Sequence, residues 1–118
     1  MNDDELVSAF DTNTLTAFPH ELHVRLTQAK LARMPESDAL ASIRRGIQTM
    51  AGDSGLYQET RTAAWVRLIA SGLPLEQLHR RDLLDDYYSP GLLNSQAARD
   101  AFVEPDLKPL VEASSATT

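Results

Sequence analysis

The chain has 118 residues, no cysteine and a formal net charge of −6 from 17 acidic and 11 basic side chains. The length suits one domain with one core. The lack of cysteine excludes disulfides, thiolate metal ligands and cysteine nucleophiles, and the acidic field repels phosphate backbones, so no nucleic-acid partner is expected.

Residues 1–15 open with Met1-Asn2-Asp3-Asp4-Glu5, too acidic for a signal peptide. They read as a flexible acidic lead with at most one docked turn around Leu6 to Phe10, dispensable to the fold. The first firm helix is predicted from about Pro19 to Met34, with Thr16 as N-cap and Pro19 in the first turn. At about 100° per residue, Leu22, Leu26 and Ala29 share one face while Val24 and Leu31 lie nearly opposite, so this helix should be covered on two sides. Pro35 ends it. A one-sided helix follows from about Asp38 to Ala51, capped by Ser37 and carrying the stripe Leu40, Ile43, Ile47 and Met50. The lone Gly46 inside it marks close packing against a neighbour, and Gly52 is the expected stop.

A third helix is predicted from about Leu56 to Ser71, with Tyr57, Ala64, Trp65, Leu68 and Ile69 on one broad side and Ala63 and Val66 extending it. A fourth runs from about Leu75 to Leu84. Tyr87-Tyr88-Ser89-Pro90-Gly91 breaks the pattern, and Asn94 or Ser95 caps a last short helix to about Phe102, near which Arg99 and Glu104 could pair. Residues 112–118 read as a disordered tail. The predicted architecture is all-α: a compact single-domain bundle over residues 16–111, of four main helices plus a short C-terminal helix, with the first and third at its centre. No stretch reaches the ~18 apolar residues of a membrane span, and a cytoplasmic protein with no membrane association is expected.

Two places can carry chemistry. His20 and His23 stand three apart, on one side of a helix, where two imidazoles can meet one ion or one ligand. The plainer reading of the spacing is an N-terminal turn with two partly exposed histidines. The second place is Tyr57-Gln58-Glu59-Thr60. A glutamate in a first turn suits the helix dipole, yet Glu59 shares its strip with Thr62, Ala63 and Val66, which is not a solvent strip. A buried carboxylate needs a partner, and a histidine or arginine is the natural one. If the two central helices bring their starts together, His20, His23 and Glu59 form a two-His, one-carboxylate site with acid–base or metal-binding capacity. Tyr57, Gln58 and Thr60 would then contact substrate. Trp65, two turns beyond Gln58 on its face, either packs in the core or joins them. No phosphate loop, nucleophile elbow, EF-hand or zinc-finger pattern is present.

Four segments in order, Phe18-Pro19-His20-Glu21-Leu22-His23-Val24-Arg25-Leu26, Tyr57-Gln58-Glu59-Thr60, Tyr87-Tyr88-Ser89-Pro90 and Phe102-Val103-Glu104-Pro105-Asp106, give the chain a resemblance to a group of short, largely uncharacterised bacterial helical proteins. Those carry F-x-H-x-x-H-x-R-L, Y-H-E-T, a Y-Y-S-P-like turn and F-V-x-P-D. The resemblance spans about Phe18 to Asp106 and brings no settled activity. It implies that His20, His23, Tyr57, Glu59 and Thr60 belong to one site. Gln58 stands where the pattern has His, which implies that any divalent metal is held weakly, and no cofactor is expected.

Two functions from different classes fit. One is a small enzyme or ligand-binding protein, of a biosynthetic pathway for instance, with a polar His/Glu pocket between the first and third predicted helices and a small-molecule substrate. The other is a non-enzymatic interaction protein or accessory subunit, a homodimer being one form it could take. Convergence of His20, His23 and Glu59 favours the first.

Overall fold

A computed structural model describes residues 1–110. The expectation of a disordered tail at 112–118 lies outside the described residues. The elements in order are α1 Asp3–Asp11, α2 His20–Leu31, α3 Glu36–Ala51, α4 Glu59–Ala70, α5 Leu75–Leu78, a 3-10 turn Leu83–Asp86, α6 Pro90–Leu93 and α7 Gln96–Asp100. The all-α expectation holds, and no described residue is in a strand.

The acidic start is a helix rather than a flexible lead with one docked turn. Asn2 caps it reciprocally: its side-chain oxygen accepts from Glu5 N at 2.8 Å, and Glu5 Oε1 accepts from Asn2 N at 2.8 Å. Asp3, Asp4 and Glu5 then sit where the positive end of the helix dipole favours them. Leu6 and Phe10, four apart, are buried with Leu26 of α2 in a cluster of their own. Basic residues of α2 and of the turn just after it meet the acids of α1. Arg25 reaches Asp3 at 2.8 Å, Arg33 reaches Asp4, and Lys30, 1% exposed, reaches Asp11 at 2.8 Å. The exposed pairs add little, but the buried Lys30 depends on its carboxylate.

Helix α2 is covered on both sides, as its periodicity requires. Leu26, with Leu22, packs toward α1, while Val24 and Leu31 join the larger core of α4. Its N-cap is Pro19, with no side-chain cap from Thr16. Helix α4 packs against α2, α3, α7 and the 3-10 turn, and Ala64, Val66 and Leu68 have no exposure at all. Helix α3 starts at Glu36, two residues before the expected start, and buries Ala39 and Ile43. Ile47 turns to the α1 cluster, and Met50 at its end is 36% exposed. Gly52 stops α3 with φ +53°. The predicted fourth helix is instead the single turn α5 followed by the 3-10 turn. The chain then re-enters helix at α6, which has Ser89 as N-cap and Pro90 in its first turn.

Gly46 lies under the Phe10 ring. A Cβ there would stand 2.1 Å from Phe10 Cζ. Gly46→Ala should therefore destabilise by about 1–2 kcal/mol, the overpacking loss less the helix-propensity gain. In a Phe10→Ala background the clash is gone and only the propensity gain of up to about 1 kcal/mol remains, so the sign should reverse. Urea unfolding of the four-member cycle checks this. A Gly46→Ala effect of one sign in both backgrounds would mean that α1 does not sit on α3.

Candidate functional site

The residues singled out by sequence separate into three groups. The first is a set of straps. Gln58 is the N-cap of α4: its oxygen accepts from Arg61 N at 2.7 Å while its amide nitrogen donates to the carbonyl of Leu93 in α6. Thr60, fully buried, donates to Ala101 O at 3.0 Å and accepts from Val103 N at 3.1 Å. Tyr88 Oη donates to Val103 O at 2.8 Å, and Ser89 N and Oγ donate to Asp106 at 2.8 and 2.6 Å. The Tyr-Gln-Glu-Thr, Tyr-Tyr-Ser-Pro and Phe-Val-Glu-Pro-Asp segments are thus stitched into one assembly that lays residues 101–107 across α4.

Gln58 uses one acceptor and one donor joined through a single carbon, the inventory of a neutral imidazole. Gln58→His should therefore leave stability within about 0.5 kcal/mol, and Gln58→Leu, which orphans the Arg61 N–H and the Leu93 carbonyl, should cost about 2 kcal/mol. Thermal unfolding of both variants decides it. Equal losses would show that the polar bridge is not what the position needs.

The second group is the histidine pair. His20 Nε2 bonds the Leu78 carbonyl at 2.8 Å, and since a carbonyl only accepts, that nitrogen carries the proton. The His20 ring stands edge-on to Trp65 at 4.6 Å between centroids, and Trp65 is 7% exposed within the main core. The His23 ring lies 6.3 Å from that of His20 and 5.4 Å from that of Phe18. Its Nε2 is buried with no hydrogen-bond partner among the described residues. Burial, and then the charge of His20, pull the His23 imidazole down to about 4, so at neutral pH it is uncharged.

The third group surrounds Glu59. Arg44 of α3 grips its carboxylate with both Nε, at 2.9 Å, and a terminal nitrogen, at 2.6 Å, and Tyr57 Oη donates to it at 2.5 Å. Burial alone would raise the Glu59 carboxyl, but the hydrogen bonds from Arg44 and Tyr57 and the Arg44 charge outweigh it and hold the group below its usual value. Burial, and then the bond to Glu59, push the Tyr57 hydroxyl up to about 12. The triad is therefore a carboxylate, a guanidinium and a neutral phenol. Its Glu59 and Arg44 form one wall of a cleft of about 420 Å³ between α3, α4 and the crossing segment, with a second ion pair, Arg67 to Glu36 at 2.8 Å, further along. Leu40, Ala63, Phe102 and Leu110 supply apolar surface. A groove of about 430 Å³ over Phe10 and Gly46 has, among the described residues, exposed Asp11 and Arg45 as the charged groups in its wall.

The expected union of His20, His23 and Glu59 in one pocket is corrected. No histidine lines the Glu59 cleft, and among the described residues no three of His, Asp or Glu gather as a group able to hold a metal ion. The reason is helical phase. His20 meets α4 at Trp65, six residues past Glu59, which is about 9 Å along the axis and roughly 120° around it. Glu59 faces α3 and Trp65 faces α2. Sequence reasoning missed Arg44, Glu36 and Arg67, which look like ordinary surface charges on helical strips. The suggested Arg99–Glu104 pair does not form either, and Arg99 donates to Gly55 O at 2.5 Å. No family model, curated protein or solved structure matches the chain.

Proposed function

We propose that the chain is a small-molecule-binding helical protein and that its site is the cleft between α3 and α4 at Glu59. One observation carries this: an ionised carboxylate, only 14% exposed in its side chain, is held by Arg44 and Tyr57 at the wall of a cleft that also presents apolar side chains. A partly buried ion pair contributes little net stability, whereas fixed polar groups beside apolar surface are what a ligand site requires. Binding fits the chemistry better than acid–base catalysis. Glu59 is held too acidic to act as a base near neutrality, His23 Nε2 has no exposed surface, and His20 is committed to Leu78. The alternative of an accessory subunit draws on Leu75, which is 51% exposed, with Leu56 and Leu107 exposed as well, but exposed leucines are by themselves ordinary surface.

The test is a fragment screen by amide chemical shifts on the labelled full chain, with neutral, anionic and cationic fragments. Shifts should cluster at Leu40, Ala63 and Leu110. Shifts confined to the Phe10–Gly46 groove or to the histidine pair would overturn the assignment.

A further inference from the structure

We propose that this cleft takes an organic cation, a protonated amine with an aromatic-sized apolar body. The proposal rests on the cleft being a binding site. Among the described residues its walls carry two guanidiniums and three carboxylates. Arg44 is spent on Glu59 and Arg67 on Glu36. Glu104 is the remaining carboxylate. It is exposed and makes no ion pair or side-chain hydrogen bond among the described residues. An anionic ligand would have to pull Glu59 or Glu36 from its guanidinium, giving up one charge-assisted bond to make another. A cation displaces nothing and meets the unpaired carboxylate directly.

The neighbours of Glu104 suit such a group. Phe102, two residues earlier on the same crossing segment, lines the cleft and is 40% exposed, so an aromatic ring and the surplus negative charge line the same cleft. Ring and carboxylate together are the elements that bind ammonium groups. Leu40, Ala63 and Leu110 offer apolar contact for the rest of the molecule. The straps from Thr60, Tyr88 and Ser89 fix the Phe102–Glu104 stretch against α4, so these elements are held in place before a ligand arrives. The chain's net charge of −6 favours the approach of a cation.

The test is a titration of the full chain at neutral pH and low salt with three probes of one shape, phenethylamine, phenylethanol and phenylacetate, followed by amide shifts. The ammonium should shift Phe102, Ala63 and Leu110 and bind about tenfold tighter than the alcohol, the size expected of one exposed ion pair with one cation–π contact. Glu104→Gln, an exposed and isosteric change, should remove the ion-pair share of that difference, and Phe102→Leu should remove the cation–π share. If the alcohol or the carboxylate binds the cleft as well as the amine does, or Glu104→Gln leaves the amine unaffected, the cation assignment is overturned and the cleft survives as a site. If none of the three moves the cleft resonances, both are overturned.

Discussion

Phe10→Ala should lower the unfolding free energy by about 3–5 kcal/mol, the usual loss for emptying the space of a buried phenylalanine. Phe10 is 3% exposed and packs with Leu6 and Leu26, both fully buried. Its ring lies 5.5 Å from the Phe18 ring, and Lys30 Nζ sits 5.6 Å above it. Truncating it removes the apolar seat of α1 and opens the side of Leu26 that α1 covers. Helix α1 can answer by detaching, which limits the loss to the free energy of its docking. In either case the acidic start behaves as part of the core. Urea unfolding with tryptophan and circular dichroism signals measures the effect. A loss under about 0.5 kcal/mol, the scale of a surface change, would mean that α1 is not docked in solution.

Acid should weaken the fold through His23 before the carboxylates respond. An ordinary histidine has a value of 6.5, and burial followed by the His20 charge brings His23 to about 4. Between these values the unfolded chain binds a proton that the folded chain refuses, so stability is fully present above about pH 6.5 and falls as pH drops toward 4. The depression corresponds to about 3 kcal/mol at the acid end. Glu59, Asp86 and Asp106 are shifted below their usual values, and their contributions are lost only at lower pH. His23→Leu removes both the titrating group and the unpartnered Nε2. Its unfolding free energy should vary far less between pH 7 and 5 than that of the wild type and should exceed it at pH 5. Parallel curves for the two proteins would show that water or a partner satisfies His23.

What the sequence disclosed and what it hid follow from the range of the interactions. The two-sided character of α2 was legible because Val24 and Leu26 point to opposite sides of one helix, and that is a local fact. So was the close approach at Gly46. Glu59 lay on an apolar strip with Thr62 and Val66, so its need for a partner could be read, but the partner's identity could not. Arg44 belongs to another helix, and its reach depends on how α3 crosses α4. Gln58 and Thr60 resembled ligand-binding groups for the same reason. Their partners lie 35 and 43 residues away, and polarity alone cannot distinguish a strap from a binding group. Helix α1 is different, because its signal was present and was outweighed by the acidic composition. Asn2 followed three residues later by Glu5 is a cap pattern, and acids in a first turn favour a helix there.

The central claim is that the α3–α4 cleft at Glu59, rather than the histidine pair, binds the ligand. The most direct measurement is the dissociation constant of the strongest binder from the neutral, anionic and cationic fragments, taken in the wild type, Ala63→Trp and His23→Leu. Ala63 lines the cleft from α4 and is only partly buried, so an indole there fills the site without entering the core. Ala63→Trp should keep cooperative melting and lose at least about tenfold in affinity, while His23→Leu should bind as the wild type does. Wild-type affinity in Ala63→Trp together with loss in His23→Leu would contradict the account.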